Sequence, residues 1–143
     1  MNELQIENFP LKTFDKIRYA DTDRQGHVNN AVFASFLETG RVEVLYSKEL
    51  PILTENTSFV IASLKLDFVS EIKWPGKVQI GTGVLKIGSS SIVLYQELFQ
   101  NNVCAAKAET IIVQVHNKRK SSVPLSDNAK NILTQWLIEK KEL

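Results

Sequence analysis

One cysteine in 143 residues leaves no partner for an internal disulfide and no thiol cluster for a metal ion. Two histidines, His27 and His116, are too few for a histidine-rich metal site, so no metal and no cofactor is expected. Neither sign of charge is in excess: 17 Lys and Arg stand against 16 Asp and Glu, a formal net charge of +1. Polyanion binding ordinarily draws on a marked basic excess, so nucleic acid is not an expected partner. No stretch approaches the ~20 apolar residues that cross a bilayer, which argues against a membrane span. The first eight residues, Met1 to Asn8, have neither a basic start nor an apolar run, as a secretory signal requires. There is no Gly-x-Ser-x-Gly elbow, no glycine-rich phosphate loop and no His-Glu-x-x-His pair. These absences leave a cytoplasmic chain read as one domain, residues 1–143, with a 43% hydrophobic content that supplies a core.

What is present is an ordered series of elements. Residues 1–11 read as a loose lead-in. A short, weakly alternating strand follows over about Lys12–Tyr19, with Ile17 and Tyr19 on one face. Asp21–Asn30 is polar and reads as a loop. In the next segment Phe33, Phe36, Leu37, Gly40 and Val44 recur at helical spacing and form one apolar stripe. Ala31, Ala34 and Leu45 carry apolar surface further round, so this helix is expected to be covered on much of its surface. Asn29 or Asn30 is its expected N-cap.

Four strand-like runs come next. Val60, Ala62, Leu64, Leu66 and Phe68 alternate with Ser63, Lys65 and Asp67, the pattern of a half-buried strand. Trp74-Pro75-Gly76 reads as a turn. Lys77–Ile87 changes phase beside Gly81 and Gly83, which predicts a bulge or bend. Ile92–Gln100 and Val103–His116 are joined by Asn101-Asn102, a hairpin signal. In the last strand Cys104, Ala106 and Ala108 are placed on one small-residue side, with Cys104 as a core residue. A basic loop, Lys118-Arg119-Lys120, precedes a second helix capped by Ser126 or Asp127, with Ala129, Ile132, Leu133, Trp136 and Leu137 at helical spacing. Hairpin-length links imply an antiparallel sheet, and a curved sheet around the first helix would bury its broad apolar surface. The expected fold class is α+β.

The loop before the first helix concentrates the polar groups. Asp21 and Asp23 are two apart, so an extended segment points both to one side. The helix start just downstream offers unpaired N–H groups and the positive end of its dipole, which suit an oxyanion. An ionised aspartate beside it can attack a carbonyl or activate water. The other reading is structural: Asp and Asn before a helix commonly cap it and build turns. The residues alone leave both open.

Arg18-Tyr-Ala-Asp-Thr-Asp-Arg-Gln-Gly-His-Val-Asn-Asn-Ala31, followed by Phe36-Leu-Glu-Thr-Gly-Arg41, resembles the signature of the 4-hydroxybenzoyl-CoA thioesterase family. Those are hotdog-fold acyl-CoA thioesterases, and the Gly-His-Val-Asn-Asn variant is similar to members acting on aliphatic acyl-CoA. The close match covers residues 18–41, and element order and length agree over most of the chain. The resemblance implies a hotdog fold, acyl-CoA as substrate, and a homodimer or a tetramer of two dimers. It implies Asp23 as the catalytic carboxylate, nucleophile or general base, and the N–H near Asn30 as the group polarising the thioester carbonyl. Asp21 is then a loop former, and Glu38 and Arg41 hold the helix or a subunit contact. His27 and Asn29 are expected to line the substrate site. By analogy, residues around Ser58 to Ser63 line the partner's pocket, and Lys73 with the Arg119 loop meets CoA phosphates. Competing readings are acyl-thioester hydration or dehydration, an acyl-carrier-protein donor, and acyl-CoA binding without catalysis.

Overall fold

The computed structural model describes residues 4–139. Residues 1–3 of the expected lead-in and residues 140–143 of the expected domain lie outside this range. The strands are β1 (Leu11–Lys16), β2 (Thr57–Phe68), β3 (Lys77–Ile87), β4 (Ser91–Gln100) and β5 (Val103–His116). They form one antiparallel sheet in the order β1-β3-β4-β5-β2. α1 (Asn30–Leu45) lies against one face, and α2 (Asp127–Thr134) packs near its C-terminal end.

The predicted stripe is the buried one: Phe33, Phe36, Leu37, Gly40 and Val44 all face the sheet. Gly40 lets the helix sit flush. A Cβ there would lie 2.6 Å from Gln96 Nε2 and 2.7 Å from Ile80, closer than packed atoms tolerate. Asn29 is the N-cap, its side chain accepting the Ala31 N–H at 3.0 Å. The phase change in β3 is a bulge at Leu85, between Val84 and Lys86. Asn101 and Asn102 both adopt positive φ, 51° and 65°, as a tight hairpin demands. Ser126 caps α2.

Five expectations are corrected. β1 ends at Lys16; Ile17 is buried, but Tyr19 opens a one-turn helix, Tyr19–Asp21, and points to solvent. The lead-in is structural, because Phe9 is buried on the sheet's outer face against Tyr95, Phe99 and the flat backbone of Gly81. A register shift between Leu98 and Phe99 turns Cys104 to that outer face, away from Ala106 and Ala108. There Tyr95 Oη and Cys104 Sγ donate to the two oxygens of buried Glu97, and burial with the neighbouring carboxylate pushes the thiol up to about 12. α2 stops at Thr134, and Leu137 instead bridges Val84 beside the end of β1. Last, neither β2 nor α1 is covered as expected. Val60, Leu64 and Phe68 are more than a third exposed, and so are Val42 and Tyr46 on the open side of the helix. β2 is an edge strand, with backbone groups on one side that no other strand among the described residues takes.

Candidate active site

Asp23 sits in a tight turn of its own making. Its Oδ1 accepts the N–H of Gln25 at 2.9 Å and of His27 at 3.2 Å. Its main chain closes the same turn, donating to His27 O at 2.8 Å and accepting from Gly26 N–H at 3.1 Å. Gly26 has φ +84°, a conformation that favours glycine. With Oδ1 fixed, Oδ2 takes no hydrogen bond among the described residues. Asp21 has the other role: its carboxylate accepts the Arg18 N–H and its carbonyl accepts the Asn29 N–H, both at 2.8 Å. It builds the loop, the role that the resemblance implies for it.

The loop is zipped to a second segment, residues 69–76. Val28 N–H donates to Ile72 O at 2.8 Å, and His27 forms an antiparallel bridge with Lys73. Ile72 is fully buried, which anchors that segment in the core. Between the two segments and the start of α1 lies a cavity of about 350 Å³. Asp23, His27 and Asn30 line its polar side; Val28, Phe33, Phe68 and Val69 line its apolar side. Phe33 and Phe68 meet edge to face at 5.1 Å. Asn30 is the first residue of α1, and its N–H has no partner among the described residues. A residue with one unengaged carboxylate oxygen, a residue with an unpaired N–H at a helix start and a short apolar wall thus line one space. That set can polarise a carbonyl and deliver a nucleophile or base to it.

The remaining expected residues are distributed differently. Asn29 reaches the site as the helix cap, not as a lining side chain. Lys73 stands beside His27, its backbone held by Gln100: the amide oxygen accepts Lys73 N–H at 2.9 Å and the amide nitrogen donates to Lys73 O at 2.6 Å. Ser63 is exposed in the middle of β2, five residues and ~17 Å of strand from Phe68. Arg119 is not brought to the cavity within one chain. It follows His116, which pairs with Thr57 at the other end of β2, ~36 Å of strand from Phe68. Glu71 was missed. It lines the cavity, and its Oε2 lies 3.2 Å from His27 Nε2. Nothing in the local pattern marks it, since it sits between a strand end and a turn and meets His27 only through the fold. Arg41 is buried on α1, where desolvation outweighs the attraction of Glu38 and lowers its pKa, and its buried Nη1 has no hydrogen-bond partner among the described residues. Among the described residues no group of three His, Cys, Asp or Glu could hold a metal ion.

The model of the thioesterase-like superfamily matches residues 17–137, the span from the end of β1 to the chain's return onto β3. The chain belongs to this family. The acyl-CoA thioesterase YbgC of Helicobacter pylori is 29% identical over 84 residues, 59% of this chain and 63% of that protein. A predicted thioesterase from Bacillus stearothermophilus superposes with TM-score 0.81 at 25% identity, covering 92% of this chain and 98% of that one. A Thermus thermophilus thioesterase solved with coenzyme A and zinc gives TM-score 0.74 at 26% identity, covering 86% and 96%. The α+β hotdog architecture is therefore the one expected from the sequence, and the chain is a hotdog-fold thioester hydrolase. No helix among the described residues is long and apolar enough to cross a membrane.

Proposed function

We propose that the protein hydrolyses acyl-CoA thioesters, releasing a carboxylic acid and free CoA. The observation that carries this reading is the shared cavity, lined by Asp23, by Asn30 with its unpaired N–H, and on one side by Val28, Phe33, Phe68 and Val69. The Asn30 N–H and the dipole of α1 take the thioester oxygen as it gains charge. Asp23 Oδ2 attacks the carbonyl carbon or takes a proton from the attacking water. The names of the relatives, an acyl-CoA thioesterase and a thioesterase complexed with coenzyme A, support CoA as the donor. A cytoplasmic setting suits that substrate.

The working unit in this proposal is a homodimer formed along β2. A 12-residue edge strand with Val60, Ile61, Leu64 and Phe68 exposed is a template for a second copy. With two β2 strands antiparallel about Ser63, the Thr57 end of one meets the Val69 end of the other. Ser58 to Ser63 of one chain then borders the other's cavity, and the partner's Arg119 comes to its rim, where CoA phosphates need cations. Two such dimers can associate further as a tetramer. Sedimentation should give a dimer or larger; a monomer with full activity would sink this part.

The function is tested by free-thiol release from a panel of acyl-CoAs of different acyl size. Steady release from at least one is expected. Tight binding without release would favour the acyl-CoA binding reading, and addition of water to an enoyl thioester without thiol release would favour the hydratase. Turnover of acyl-carrier-protein thioesters alone would move the donor from CoA to the carrier protein.

A further inference from the structure

Glu71 has a partner that the chemistry of the cavity can use. Its carboxylate meets His27 Nε2 at 3.2 Å, and both residues line the space that holds Asp23 and Asn30. The backbone is pinned on both sides of Glu71. Ser70 donates its N–H to Ala105 O at 3.1 Å and its hydroxyl to Cys104 O at 2.7 Å. Ile72 is buried, and Lys73 is clamped at both polar groups by Gln100. On the other side, His27 is tied by its N–H to Asp23 Oδ1 and by its carbonyl to Asp23 N–H. An exposed ion pair between two mobile chains contributes ~0–1 kcal/mol. Here both backbones are fixed, so the contact directs the imidazole more than it stabilises the fold. The charged neighbours of His27 are Asp23 and Arg24 on its own loop and Glu71 and Lys73 on the facing segment. α1 and β2 present Asn30, Phe33 and Phe68, which carry no charge.

We propose that Glu71 is a positioning residue that holds His27 as the proton donor to the leaving thiolate. The proposal rests on the thioester-hydrolase reading above. Glu71 keeps the proton on Nε2, which leaves Nδ1–H of the imidazolium as the group that transfers. Water adds through its oxygen to the thioester carbon while Asp23 takes one of its protons. The tetrahedral intermediate collapses, the C–S bond breaks, and its electron pair goes to sulfur. His27 Nδ1 gives its proton to that sulfur, and the proton on Asp23 restores the imidazolium through solvent. One water and one thioester become one acid and one thiol.

The test uses two thioesters of the same acyl group, one of CoA and one of 4-nitrothiophenol. The aryl thiol is acidic and leaves as a stable anion, so it needs no donor. Glu71→Gln and His27→Gln should each lower the single-turnover rate on the CoA thioester by about 10- to 100-fold and on the aryl thioester by less than about 3-fold. Glu71→Asp should recover part of the loss, and the double variant should be no slower than the slower single one. Equal losses on both thioesters would mean a structural contact only, and unchanged rates on both would mean no role; either overturns the proposal. A wild type that releases neither thiol would remove the hydrolase reading itself, an outcome distinct from both.

Discussion

Two polar loops each draw on one of the protein's histidines, and they are put together in opposite ways. In the basic loop His116 Nδ1 accepts the N–H groups of Lys118 and Arg119, at 3.1 and 3.2 Å. It satisfies the loop's own backbone, and Ser58 with Asn117 ties the loop to β2. In the acidic loop the backbone is satisfied by Asp23 and Asp21 instead. That frees the His27 ring to face Glu71 and the cavity. A histidine whose Nδ1 closes a turn has one ring nitrogen committed to the backbone. A histidine spared by neighbouring aspartates turns its ring to a side-chain partner instead. The two loops also differ in reach: the acidic one borders this chain's cavity, and the basic one lies a strand's length away.

The contrast breaks most sharply at Asp23. Asp23→Asn keeps the Asx turn, since an amide oxygen still accepts from Gln25 and His27, but removes the charge. Turnover of acyl-CoA should fall about 1,000-fold with little change in melting temperature, read by thiol release and calorimetry side by side. Removing the charges of Lys118, Arg119 and Lys120 together should act on binding alone. KM for acyl-CoA should rise about 3- to 10-fold at low salt, kcat should hold, and a pantetheine thioester lacking the nucleotide should show no change. His116→Ala should leave both kinetic constants almost untouched and cost about 1 kcal/mol of stability in urea unfolding, because two N–H groups lose their acceptor. A kcat loss in His116→Ala would erase the distinction between the loops.

Much of this was legible from local pattern. The buried stripe of α1 from Phe33 to Val44, the Asn29 cap, the Asn101-Asn102 hairpin and the β3 bulge are all set by residues within one turn or two of each other. The misreadings come from partners far along the chain. Phe9 lies in a mixed segment with no clear period and says nothing of Gly81, on which it rests. Cys104 follows the alternation until a bulge opposite Phe99 changes its face. β2 alternates like a half-buried strand, and the apolar side it offers stays exposed among the described residues. At the site, the resemblance singled out Asp23 and Asn30, which one loop brings together. Glu71 is 44 positions beyond His27 and depends on the zipping of two segments, so no spacing rule reaches it.

The central claim is that the first N–H of α1 stabilises the developing oxyanion, and it is tested most directly at Asn30. Proline suits the first helical position, and Asn29, at φ −61° and ψ 138°, already has the extended conformation that a residue before proline adopts. Asn30→Pro therefore deletes the N–H while sparing the helix, and Asn30→Ala deletes the side chain while keeping the N–H. Measured as kcat on the best acyl-CoA, the account expects a loss of about 100-fold or more in Asn30→Pro and less than about 3-fold in Asn30→Ala. Equal turnover in the two variants, with both folded, would contradict it.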